Sequence, residues 1–268
     1  MTQQNVSPFR RPLSKPNFEI LNPFMSHKPN VFSPPGTPLL DRTVGELVAE
    51  RPGRSRVFQS FTIDFCCQGS RTLREACDHK GIAAQTVVEQ LEAELKEKTA
   101  LVQNPAELPL DQLTEYIVRT HHNYLRSEMP RLHAMSARVA QVHGGHTPSL
   151  VEVFEVVHAL QEELAEHIEK EERVLFPVVA AMSRRETAPV RLDDPIACMV
   201  HEHEEAGAAL KRLRALSNDF QPPAEACNTY RALFAGLQDL EEDLHRHIHL
   251  ENTVLFRAAQ ALAVPENN

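Results

Sequence analysis

The chain has little of what several broad classes of protein require. Five cysteines in 268 residues are sparse and odd in number, which fits a reducing cytoplasm better than a disulfide scaffold. No apolar run approaches the roughly eighteen residues of a membrane span, so no membrane partner is expected. The opening "MTQQNVSPFRRPLSKPNFEI" has basic residues but no apolar core behind them, so a secretory signal is not expected. Arg10 and Arg11 alone do not make a twin-arginine signal. Net positive charge is missing as well: at −9, the chain is not expected to take nucleic acid as its main partner.

What the chain has in quantity is histidine. Fourteen are present, many beside glutamates, and this is the first sign of metal. Hydrophobic content is an ordinary 42%, and the length suits one sizeable domain with a smaller one attached.

Residues 1–40 hold eight of the nineteen prolines and show no sustained apolar period, so they read as a disordered tail. A small helical domain is expected over 41–83. Its helices start at "TVGELVAE" and "TLREACDHKG", where Thr43 with Glu46 and Thr72 with Glu75 have capping-box spacing. Gly81 suits the end of the second. An amphipathic helix and a linker bounded by "NPAELP" fill 84–109. Four long helical segments occupy 110–263: Asp111 is a candidate cap for the first, which is expected to kink at Pro130. Thr147–Pro148 and Asp194–Pro195 open the next two, and Pro222–Pro223 precede the last. The fold class is all-α, an antiparallel four-helix bundle.

Within it one phrase occurs twice. Leu160 to Phe176 reads "LQEELAEHIEKEERVLF" and Leu240 to Phe256 reads "LEEDLHRHIHLENTVLF". Leu160, Leu164, His167, Glu171, Val174 and Val178 share one helix face, and so do Leu237, Leu240, Leu244, His247, Glu251 and Val254. Each His and Glu therefore sits inside a stripe that should be buried. A buried carboxylate must be protonated, paired or bound to metal. A single pair at this spacing is more often a surface contact; the same pair in the same leucine frame twice points to metal.

The repeat extends backward. His122 lies 45 residues before His167 and His203 lies 44 before His247, each near the start of the preceding helix. His121 and His122, being adjacent, should point to different faces, and His245, His247 and His249 cannot all face inward. The expected ligands are His122, His167, His203 and His247 with Glu171 and Glu251 as bridges. Without thiolates in the repeats, structural zinc is disfavoured and a di-iron or di-manganese site favoured. Octahedral iron with four protein ligands leaves room for an oxo bridge and an open position. Glu163 and Glu202 are candidates for supporting or proton-relay roles beside the ligands; the plainer reading is that both are solvated.

The "DFCC" module followed by "HIEKEERVLFP", "HEHEEAG" and "HIHLENTVLF" resembles the repair-of-iron-centres family, the di-iron iron–sulfur cluster repair proteins with a hemerythrin-like domain. The resemblance covers 41–263. It implies a cytoplasmic protein, induced by nitrosative or oxidative stress, that carries two non-haem irons, oxo-bridged, and acts on damaged iron–sulfur proteins. Nitric oxide or oxygen would be its small ligands, nitric oxide reductase-type activity an enzymatic option, and a homodimer an allowed assembly. It carries the terminal imidazoles onto His122, His167, His203 and His247 and the bridges onto Glu171 and Glu251. It also implies redox or transfer chemistry at Cys66 and Cys67, expected in a loop as exposed thiols near a helix start. The plain alternative is two small buried side chains. Cys77 is expected in the core, and Cys198 and Cys227 look structural. A different functional class, a hemerythrin-like sensor or carrier of oxygen or nitric oxide, would share the bundle but not need the paired cysteines.

Overall fold

The structure, a computed structural model, describes residues 33–34, 36–51, 54–94, 104–187 and 189–263. Among them the only β pairing is an isolated bridge between Thr43 and Thr72; every regular element is helical. Short helices α1 (Val44–Glu50), α2 (Arg54–Ser60), α3 (Leu73–Lys80) and α4 (Ala84–Glu94) come first. Long helices follow. In α5, Leu110–Ile117 continues into Asn123–His143 through a π turn at Val118–His122. In α6, Ser149–Lys170 continues into Phe176–Ser183 through another at Glu171–Leu175. Helix α7, Asp193–Leu216, is uninterrupted, whereas α8 passes from Asn228–His249 to Phe256–Ala263 through a π turn at Leu250–Leu255.

The short helices start where the threonines put them. Thr43 Oγ1 accepts from the Glu46 amide at 3.2 Å and Glu46 Oε2 from the Thr43 amide at 3.3 Å. Thr72 and Glu75 form the same reciprocal pair, at 3.2 and 2.9 Å. Gly81 ends α3 at φ 65°, a left-handed turn that suits a residue without a Cβ. Helix α2 lies between the two capped helices, and it leaves residues 61–72 as the loop that holds the cysteine pair.

Starts of the long helices differ from expectation in detail. Asp111 does not cap α5; the helix begins at Leu110 after Pro109, and Asp111 sits in the first turn, where its charge favours the helix dipole. The run passes through Pro130 without breaking. Helix α6 begins at Ser149, α7 at Asp193 and α8 only at Asn228. The expected proline-rich tail falls mostly on residues 1–32 and 35, and part of the expected helix and linker of 84–109 on 95–103; both stretches lie outside the described residues.

Short connections make consecutive long helices antiparallel neighbours, and α5 closes the ring against α8. The all-α bundle thus forms, and its interior is layered. One apolar cluster joins α1–α4 to the bundle, with Leu47, Phe58 and Leu73 in the same core as Leu132, Leu160, Leu210 and Leu240. A second gathers Leu113, Ile117, Phe176, Val179, Ile196 and Phe256 at the other end. Each buried leucine in these clusters contributes roughly 1.5–3 kcal/mol. Between the two clusters lies a layer of buried histidines and glutamates.

Candidate metal centre

The six expected ligands meet in this layer, each buried to 4% exposure or less. They form two overlapping sets: His122, His247, Glu171 and Glu251, and His167, His203, Glu171 and Glu251. His122 Nε2 and His247 Nε2 lie 3.1 Å apart, as do His167 Nε2 and His203 Nε2. Glu171 Oε2 is 3.3 Å from His122 Nε2 and 3.4 Å from His167 Nε2. Glu251 reaches His247 with Oε1 at 3.0 Å and His203 with Oε2 at 3.1 Å. Both carboxylates therefore belong to both sets.

The separations fit a metal. Ligand bonds of about 2.1 Å put neighbouring donors about 3.0 Å apart in an octahedron and about 3.4 Å apart in a tetrahedron. The electronic argument is stronger. His122 Nδ1 lies 2.8 Å from Glu172 Oε1, and His167 Nδ1 lies 2.8 Å from Glu202 Oε2. An ionised carboxylate only accepts, so Nδ1 carries a proton and Nε2 is the ring nitrogen that faces inward. His203 does the same through Asn252 Oδ1 at 2.9 Å; the amide cannot flip, because its Nδ2 donates to the Cys66 carbonyl at 3.3 Å. Three imidazole Nε2 atoms are thus aimed at one another's neighbourhood and at two carboxylates, a donor set that suits cations.

The charges say the same. Burial opposes a charge on His122, yet Glu171 and Glu251 outweigh it and raise its pKa to about 10. His203 rises to about 9 against the same penalty, chiefly through Glu251. Burial pushes His247 down to about 4 and pushes Glu171 up, with the Glu251 charge adding to the latter. Glu251, despite its burial, is held well down by His247, His122 and His203. Neither oxygen of Glu171 has a hydrogen-bond partner among the described residues. Protons on His122 and His203 offset part of this buried charge, and a bound cation would offset it without them.

The π turns build this arrangement. One extra residue per turn lets two adjacent side chains face the interior, and such turns are frequent at functional sites. His121 and His122 are both buried in the first π turn, yet they face different groups, and only His122 belongs to the ligand sets. His121 stacks parallel on His247 with ring centroids 5.3 Å apart and pairs with Asp243 at 3.0 Å. Glu171 and Glu172 share the second turn; Glu251 and Asn252 share the third. The second turn also breaks the expected stripe: Val174 is 61% exposed, and Leu175, Phe176 and Val179 are buried instead.

Glu172, Asn252 and Asp243 carry no signal of their own in the sequence, although Glu172 and Asn252 directly follow Glu171 and Glu251. Glu202 is bonded to His167 and to Lys170 Nζ at 2.6 Å. Glu163 stands apart from the ligands, lining with Glu202 and Ala206 a cleft that leads to His167, His203 and His247. His201 is exposed, whereas His249 is buried against Phe65 and not in the ligand sets.

The cysteine pair lies between the two expectations, nearer the buried one. Cys66 is buried and Cys67 half-buried, with Cys67 set against the middle of α7. Cys67 Sγ lies 3.5 Å from the His203 carbonyl, and Gly207 makes room for it: a Cβ there would meet Cys67 Sγ at 2.9 Å. Cys77 is in the core, whereas Cys198 and Cys227 are exposed.

Two family models match the chain, a domain of unknown function (DUF542) over residues 40–95 and the hemerythrin HHE cation binding domain over residues 113–259. The iron-sulfur cluster repair protein YtfE of Edwardsiella ictaluri is 37% identical over 82% of this chain and 96% of its own length. Its namesake in Escherichia coli is 34% identical, covering 82% of this chain and 97% of its own. The iron-sulfur cluster repair protein ScdA of Staphylococcus haemolyticus is 33% identical, with 80% and 95% covered.

Proposed function

The chain belongs to the iron–sulfur cluster repair family, and on that premise we propose that it holds two non-haem irons and restores iron–sulfur clusters damaged by nitrosative or oxidative stress. The observation that carries this reading is the pair of four-donor sets sharing Glu171 and Glu251. Four imidazole Nε2 atoms would be the terminal ligands and the two carboxylates the bridges. Imidazole and carboxylate donors suit iron, which when bound supplies exchangeable metal and one-electron chemistry.

The chain's own residues prepare the site for this. Glu172, Glu202 and Asn252 hold three imidazoles by their Nδ1–H groups, which sets ring orientation and raises ligand basicity. Apolar clusters above and below limit water, and the cleft beside Glu202 is the way in. A cytoplasmic setting, an oxo bridge between the irons, nitric oxide or oxygen as small ligands, nitric oxide reductase-type activity and a homodimeric assembly belong to the same reading. The alternative, a sensor or carrier of oxygen or nitric oxide, would need no cysteine module. Cys67 lying against the backbone of His203 favours repair.

The test is metal content with an optical spectrum on protein purified without air, then exposed to air and to nitric oxide. About two irons per chain with oxo-bridge bands that respond to nitric oxide are expected from a carboxylate-bridged pair. Protein that stays colourless after iron reconstitution, holding zinc or nothing, would overturn the reading.

A further inference from the structure

Outside the bundle centre, a second group of metal-ligating atoms converges. Asp64, Cys66 and Cys67 each bring one donor within 4.8 Å of the others. The two Sγ atoms are 3.7 Å apart, and Cys66 Sγ is 3.3 Å from Asp64 Oδ1. A tetrahedral cation with thiolate bonds of about 2.3 Å and an oxygen bond of about 2.1 Å needs edges of about 3.8 and 3.6 Å. Two thiols in plain contact would show a similar separation. What marks a site is the carboxylate at the third corner and the way it is held.

Asp64 Oδ1 accepts from the Cys67 amide at 2.9 Å, and Oδ2 pairs with Lys211 Nζ at 3.0 Å. The carboxylate is thus fixed before any cation arrives. We infer that Asp64, Cys66 and Cys67 form a separate mononuclear site for a thiophilic divalent cation, with solvent at the fourth corner. Both thiols would give up their protons and no electrons would move. Charge then balances: two thiolates and a carboxylate are offset by the dication and Lys211, just as Asp64 and Lys211 offset each other before binding. Cys67 and Asp64 are partly exposed and offer the route in.

The site adjoins the bundle centre. Cys67 Sγ touches the His203 carbonyl, and the Cys66 carbonyl is tied through Asn252 to His203 Nδ1. If the repair reading holds, on which this clause rests, the cation is ferrous iron passing between the centre and a damaged cluster.

Cobalt(II) is the probe, titrated without air into the full chain with its bundle iron already bound. About one further equivalent is expected, with intense near-ultraviolet thiolate-to-cobalt absorption and release of about two protons. Cys66→Ser with Cys67→Ser should abolish that absorption and leave bundle iron unchanged. Asp64→Asn, which keeps the shape and the bond from the Cys67 amide, should weaken cobalt binding about tenfold or more, the usual scale for altering a metal site's partners. No thiolate band, or a band that survives the double serine variant, would overturn the site. A thiolate band on protein whose bundle never takes iron would uphold the site and remove the repair reading.

Discussion

Asn252 joins two parts of the molecule through one amide. Its Oδ1 receives the His203 Nδ1–H at 2.9 Å and its Nδ2 donates to the Cys66 carbonyl at 3.3 Å. The two bonds can be separated by mutation. Asn252→Ala should lower iron affinity about 10–100-fold, the usual cost of losing a bond that orients a ligating histidine. It should also speed amide hydrogen exchange at Cys67 and Gln68. Asn252→Asp keeps an acceptor for His203 but no donor for Cys66, so it should speed exchange while holding iron nearly as tightly. Equal loss of iron in both variants would show that the carbonyl bond, and not ring orientation, matters. Nothing in the sequence marks Asn252 beyond its place after Glu251.

At the scale of the element, the π turns carry the chemistry. In α6, removing Val174 would return Glu171–Leu175 to regular helix and leave Leu164, His167, Glu171, Leu175 and Val179 on one face. The core stripe would survive. Glu172 would swing away from the interior and give up the bond to His122 Nδ1, now 2.8 Å. The Val174 deletion should therefore keep its helical circular dichroism and lose about 10–100-fold in iron affinity. A deletion variant that binds iron as tightly as the native chain would show that the extra residue is incidental. The apolar period made the long helices legible, since leucines recur at helical spacing whatever the helices pack against. It could not reveal the turns, because one extra residue leaves the average period almost unchanged. Hence Val174 was expected inside and stands outside.

For the whole molecule, the polar layer between two apolar clusters ties stability to metal. Two carboxylates and four imidazoles are costly to bury unless cations hold them. A ligand present at about a thousand times its dissociation constant stabilises the folded state by about 4 kcal/mol. At about 2–4 °C per kcal/mol, iron removal by a chelator should lower the melting temperature by roughly 8–16 °C. Scanning calorimetry of loaded and stripped protein checks this; coincident transitions would mean that metal contributes nothing to the fold. Because α1–α4 share a core with the bundle, one transition is expected and not two.

Some properties follow from the order of residues alone. Helical periodicity, the threonine–glutamate caps and the doubled phrase depend on neighbours within a turn or two, and short-range physics acts the same way in any surroundings. They sufficed for an all-α bundle and for naming the six donors that meet in its polar layer. Which way Glu172 and Asn252 turn, how His121 comes to lie on His247, and where the cysteine loop docks depend on atoms far apart in the chain. Cys67 and His203 are separated by 136 positions yet touch, through a gap that Gly207 leaves open. Only the packing of one helix on another decides contacts of that kind, because their partners are chosen by shape and charge after the chain has folded.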